Sequence, residues 1–151
     1  MTAIGSKGVT ISVDQIYNFH ELSKADAKQV IEDKVILACE NKGVKLSGYG
    51  NHTGRGSLLT VEKYDEEKRE HKLFNVPRIQ RAFASLDAIV VPISQYKIGS
   101  YGLKHTVEDS LGEDLPNGDL IVAMILKGYS ARFGKQTEEM AVNCEFKAKV
   151  R

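Results

Sequence analysis

Apolar residues recur three or four positions apart at Ala27, Val30, Ile31, Val35, Ala38 and Cys39, which places them on one face of a helix. Ser23, with Asp26 three residues on, supplies an N-cap signal, and Gly43 a left-handed stop. Lys24, Lys28, Glu32 and Lys42 occupy the opposite, solvated face. Ahead of this helix, residues 1–8 read as a small polar arm and Val9-Thr10-Ile11 as a short strand. Ser12 or Asp14 then caps a short helix containing Ile16, Tyr17, Phe19 and Leu22. Beyond it, residues 58–76 predict a β-hairpin with arms SLLTVEKY and HKLFNV and the charged tip DEEKRE. Pro77 opens a helix over RIQRAFASLD, with Ile79, Ala82, Phe83 and Leu86 inward and Arg78 and Arg81 outward, one turn apart. Ala88 to Val91 predicts a buried strand cut short by Pro92.

The strongest pattern lies between Ser100 and Tyr129. Ser100 reads as an N-cap; Leu103, Val107 and Leu111 lie four apart, and Lys104 and Glu108 pair on the other side. Gly112 ends this helix, Glu113 to Pro116 form a turn, and Asn117 caps a second helix. Leu120 to Leu126 is apolar without interruption, so this helix needs an apolar environment around most of its circumference. Alternation follows at Tyr129, Ala131 and Phe133, then at Val142, Cys144, Phe146 and Ala148, predicting two strands. The fold class predicted is α+β: a small mixed helix and antiparallel-strand domain. Residues 1–99 hold a helix, a Gly-rich loop, a hairpin and a short helix. Residues 100–151 form a C-terminal winged-helix-like lobe of helix-turn-helix plus hairpin. The two parts are expected to make one compact unit.

Composition narrows the function. The chain has 151 residues and net charge +1, which gives no global pull toward polyanions. From Ser100 onward seven Lys/Arg stand against eight acids, so neither half is a basic surface by count. No apolar run approaches bilayer length, and the N-terminus lacks the order of a signal peptide; an intracellular place, host cytoplasm or virion, without membrane association is expected. Cys39 and Cys144 lie far apart in patterned segments and read as buried, reduced thiols.

Candidate chemistry is sparse. Gly48 to Gly56 is the most glycine-dense stretch, and Asn51, His52, Thr53 and Arg55 make it the preferred ligand- or partner-binding loop. It lacks the Gly-Lys-Ser/Thr ending of a P-loop and runs into a strand-like segment, so a plain connector is the simpler reading. Arg55, Lys63, Lys68, Arg69, Lys72, Arg78 and Arg81 could form a nucleic-acid contact if they gather on one face, against Glu62, Asp65, Glu66, Glu67 and Glu70 in the same region. His20, His52, His71 and His105 are scattered without metal-ligand spacing; His105 and Asp109, four apart, read as a surface pair. No catalytic residues, metal or cofactor are indicated.

Ser100-Tyr101-Gly102-Leu103-Lys104-His105 with Glu108, then Asn117-Gly118 and Gly128-Tyr129, resembles a short module in uncharacterised phage and large-DNA-virus proteins. Asn143-Cys144-Glu145-Phe146 is similar to the closing strand of that module. The resemblance implies a viral or mobile-element origin, carries no catalytic residues to transfer and says nothing of mechanism. The favoured reading is a non-enzymatic viral or phage-type protein acting by protein–protein contact, as a capsid-associated or assembly component or an inhibitor of a host protein. A homodimer would cover the apolar surplus of Leu120–Leu126. A winged-helix nucleic-acid-binding protein is the second reading, although Leu120–Leu126 has no polar face to offer a groove. A nucleotide or small-ligand binder using the Gly48–Gly56 loop is the third.

Overall fold

The computed structural model describes residues 8–46, 61–69, 74–134 and 144–151. The fold is a mixture of helices and antiparallel sheet, α+β as predicted. Strand β1 (Val9–Ile11) leads, and a 3-10 turn at Phe19–Glu21 replaces the expected short helix. The turn seats Phe19 against Phe83 at a ring separation of 5.4 Å. Gln80 Nε2 donates to the carbonyls of Phe19 and Leu22, so the helix over Val76–Ile89 clamps this turn directly.

Helix α1 starts at Lys24–Val30, passes through a wide π-helical stretch at Ile31–Ile36 and ends at Leu37–Asn41. Ser23 Oγ accepts from the Asp26 amide, the expected cap. The wide turns change which residues face inward. Ile36 joins Ile31, Val35 and Cys39 in the core, and Leu37 is left exposed.

The hairpin expected over 58–76 is not what forms. Val61–Arg69 is a helix, α2, and Val76 already belongs to the next one. Glu-Lys-Tyr-Asp-Glu-Glu-Lys-Arg consists largely of good helix formers and contains none of the Gly, Asn or Pro that a hairpin tip requires. Its acid-first, base-last order also complements the helix dipole. Helix α3 (Val76–Ile89) is capped by Asn75, whose Oδ1 accepts from the Arg78 amide. It buries Ile79, Ala82, Phe83 and Leu86 and also takes in Ala88 and Ile89, so the strand after it, β2, is only Val90–Pro92.

Strand β3 (Ile98–Gly99) leads into α4 (Ser100–Leu111). Gly99, not Ser100, is the N-cap; Ser100 is fully buried and its Oγ accepts from the Cys144 amide instead. Gly112, at φ +69°, ends the helix. Helix α5 (Asn117–Leu126) has Pro116, not Asn117, as its N-cap, and all of its residues are buried. Helices α3 and α4, the wide turn of α1 and strand β4 surround it. One chain therefore covers Leu120–Leu126, and no second copy is required for their burial.

Strands β4 (Ala131–Phe133), β5 (Cys144–Phe146) and β6 (Ala148–Val150) complete the fold. The larger sheet runs β1-β4-β5-β3, and β2 pairs with β6; every pairing is antiparallel. Ala148 thus leaves the expected C-terminal strand and joins a second sheet. Both sheets combine strands from residues 1–99 and 100–151. Gly8 permits the β1–β4 join: its φ is +74°, and a Cβ there would lie 1.8 Å from the Phe133 carbonyl oxygen. In the larger sheet, the row Thr10–Arg132–Glu145–Gly99 lies across from the inward-facing Ile11, Ala131 and Phe146.

Candidate functional site

Three clusters of polar chemistry stand out, and each is held by elements distant in sequence. The first is at the start of α4. Tyr101 and His105 meet edge-to-face at 4.7 Å, and both rings reach solvent. Beneath them Glu108 accepts from Lys104 Nζ at 3.0 Å and from the Leu115 amide at 2.8 Å, and it contacts His105 Nδ1 at 3.0 Å. The expected Lys104–Glu108 pair is present, whereas His105 engages Glu108 rather than Asp109. Burial acts to raise the Glu108 carboxyl, but the Leu115 amide, Lys104 and His105 together hold it below the usual carboxylate range. Because Leu115 lies in the α4–α5 turn, this carboxylate fixes the turn as well as the side chains above it.

The second cluster locks α3 onto that turn. Arg78 Nε donates to Asp119 Oδ2 at 2.9 Å, and Arg81 makes two hydrogen bonds to Glu113, at 2.7 and 2.8 Å. Asp119 is wholly buried, and its Oδ1 meets no hydrogen-bond partner among the described residues. Burial pushes its carboxyl up to about 6, against the opposing pull of Arg78 and of the Asn75 amide. The Arg81 hydrogen bonds hold Glu113 below its ordinary range. Of the two arginines expected to face outward as a pair, Arg78 turns to the buried Asp119, whereas Arg81 stays exposed but is engaged by Glu113.

The third cluster lies on the outer side of β4 and β5. The Arg132 guanidinium carbon sits 4.3 Å from the centre of the Tyr96 ring, and Lys147 Nζ lies 5.1 Å from it. The Tyr96 hydroxyl bonds to Ser130 Oγ at 2.7 Å, and Arg132 pairs with Glu145 at 2.7 Å. Two open depressions border this area. One, of about 330 Å³, is lined by Gly99, Ser100, Tyr101, Arg132, Cys144 and Glu145, among others. The other, of about 340 Å³, is lined by Lys97, Ile98, Lys149 and Val150. By contrast, an apolar recess bounded by Ile31, Ile36, Phe74 and Val76 holds only about 30 Å³, room for a couple of waters and no larger ligand.

The remaining expected site residues are dispersed. Asn51, His52, Thr53, Arg55 and Lys72 lie outside the described residues, as does the side chain of Lys63. Lys68 is paired with Glu40 at 2.7 Å, and Arg69 is exposed at the end of α2. Among Lys68, Arg69, Arg78 and Arg81, three are held by carboxylates of this chain, so these four do not form a free basic face. Among the described residues, no group of three His, Cys, Asp or Glu side chains is placed to hold a metal ion. No helix among them is long and apolar enough to cross a membrane.

The Tyr96–Arg132–Lys147 cluster was missed in the sequence, where its members are spread over 50 residues. The one available signal was the alternation Lys147, Lys149, Arg151 at the C-terminus. No family model matches the chain, and neither a curated protein nor a solved structure does.

Proposed function

We propose that this chain is a non-enzymatic binding protein that works by protein–protein contact, through the depression between Tyr101 and Arg132. The observation that carries the reading is the placement of these two side chains. Tyr101, 59% exposed yet braced by His105, and Arg132, braced by Tyr96 and Glu145, both line one open concavity. Tyrosine and arginine are the residue types that dominate interface energetics, and braced side chains lose little entropy on binding. The likeness of residues 100–146 to a phage and large-DNA-virus module supports a viral or phage source. An assembly role or inhibition of a host protein fits that source.

The test is affinity capture from nuclease-treated lysate of cells that carry the gene. A partner retained by the native chain is expected to be lost with Tyr101→Ala, by about 30-fold in affinity if Tyr101 is a hot spot of ~2 kcal/mol. It should survive Lys24→Ala on the far helix. Absence of any partner, or one indifferent to Tyr101 and Arg132, sinks the reading.

The winged-helix reading of residues 100–151 draws support from connectivity. Apart from the short β2 after α3, the order α3, β3, α4, α5, β4, β5 holds, with β5 between β3 and β4 in the sheet. Burial of α5 along its whole length removes the helix that would enter a major groove, so this resemblance of form does not favour groove reading.

A further inference from the structure

The strand pairing assembles a cationic edge that regional charge counts conceal. Strand β5 pairs with β3 and β6 with β2, which brings Lys97 beside Lys147 and Lys149, while Arg151 follows β6 and donates to the Asp87 carbonyl. The Lys97 amide donates to the Phe146 carbonyl at 3.0 Å, and Lys97 and Lys149 line one depression. Both are exposed, and neither makes an ion pair with a described residue. Lys147 and Arg132 rest on the Tyr96 ring directly next to Lys97. Five cations thus share β3–β6 and their flanks with a single described carboxylate, Glu145, which is committed to Arg132.

We propose that the edge carrying Lys97, Lys147 and Lys149 binds the phosphodiester backbone of single-stranded nucleic acid. Alternate residues of an extended strand lie ~7 Å apart, comparable to the phosphate spacing of an extended single strand. The Arg132 guanidinium, stacked on Tyr96 and 42% exposed, offers a flat cationic surface on which a base can lie. An acidic protein would be drawn by the same charge but would not need that platform. A duplex keeps its bases stacked inside the helix and could not lay one on that platform. The two surfaces meet at Arg132, but Lys97 and Lys149 line a different depression from Tyr101, so the lysine variants and Tyr101→Ala separate the two proposals.

The experiment is fluorescence anisotropy of the intact chain with labelled oligo(dT) and oligo(U) of about 16 nucleotides, titrated over salt. Three phosphate contacts predict a log–log salt slope of about −2 for both oligomers. The Lys97→Gln/Lys147→Gln/Lys149→Gln variant is expected to lose at least tenfold in affinity at low salt and most of that slope. Circular dichroism establishes its fold, and Lys149→Glu alone should weaken binding should the triple variant unfold. Tyr101→Ala should bind as the native chain does. Lack of binding at low salt, undiminished binding by the folded lysine variants, tighter binding of a duplex of equal length, or equal competition by polyglutamate would each overturn the proposal.

Discussion

The Arg78–Asp119 pair offers the sharpest test of the fold, because its energetics should depend on pH in an unusual direction. Asp119 is wholly buried and its carboxyl is pushed up to about 6, whereas in an unfolded chain it titrates near 3.9. The folded state therefore binds this proton more tightly than the unfolded state does. Its contribution to stability is fully present below about pH 4 and is lost as pH rises through about 6, a decline of about 2–3 kcal/mol. Arg78→Met retains the apolar stem but removes the opposing charge, so Asp119 becomes harder to ionise. Near pH 7.5 the native carboxyl is ionised beside Arg78, whereas the variant must either keep Asp119 protonated or bury its charge unpaired, and it should be less stable by up to about 3 kcal/mol. Near pH 5 the carboxyl is neutral in both proteins, and the difference should shrink to about 1 kcal/mol, the worth of the lost hydrogen bond. Urea unfolding of the native chain, Arg78→Met and Asp119→Asn at several pH values between these limits reads the effect directly. Asp119→Asn should abolish the native decline between about pH 4 and 7, and the double variant should match it. An Arg78→Met penalty constant across that range would refute the account of a buried, ionisable Asp119.

The other predictions test separate parts of the framework. Glu108→Ala leaves the buried Leu115 amide without its acceptor and should destabilise by about 1–3 kcal/mol, measured by urea unfolding at neutral pH. Glu108→Gln keeps an acceptor and should lose less. Since the native carboxyl is held low, its stabilising contribution is present above the unfolded value near 4.3 and fades as pH falls further, so native and Gln curves should converge there. Gly8→Ala combines a left-handed backbone with a collision at Phe133, and should speed hydrogen exchange of the Val9–Ile11 amides while costing at least ~1 kcal/mol. Cys39, pushed up to about 12 by burial and by Glu40, and Cys144, raised by burial despite Ser100, should resist a disulfide reagent at mildly alkaline pH until urea unfolds the chain; free-thiol rates in the native state would contradict this.

Local signals were legible where one periodicity governed a whole element. The apolar face of α3, the Ser23 cap and the all-round burial of Leu120–Leu126 followed from spacing alone. Failures occurred where two periods competed or partners lay far apart. Val61–Arg69 offered charge without a clean period, and helix propensity won over the strand-like residues flanking it. Ser100 looked like a cap because serine before an apolar run usually is one, yet its hydroxyl serves Cys144, 44 residues on. Arg78 and Arg81 looked unpaired because their acceptors lie 41 and 32 residues away, although Arg81 does remain exposed. Lys104 and Glu108 were paired correctly because their spacing alone decides that contact.

The same distinction bears on where function can reside. Helix α5 exposes nothing, and α3 directs its two arginines into carboxylates of the α4–α5 segment, so the helical layer is occupied with holding itself together. Among the described residues, the start of α4 and the outer side of the strands carry side chains that are braced without being covered. Tyr101 stands on one side of that surface and Lys97 and Lys149 on the other, with Arg132 and Tyr96 between the two sets of chemistry. Replacing Tyr96 should therefore disturb both: Tyr96→Ala removes the support of Arg132 and Lys147 together. Tyr96→Phe removes only the hydroxyl bonded to Ser130 and keeps the ring. If ring support is what presents the two cations, Tyr96→Phe should retain both kinds of binding and Tyr96→Ala should weaken both. A Tyr96→Phe variant as impaired as Tyr96→Ala would instead assign the effect to the hydroxyl and its loop, and the cationic edge would lose its organising element.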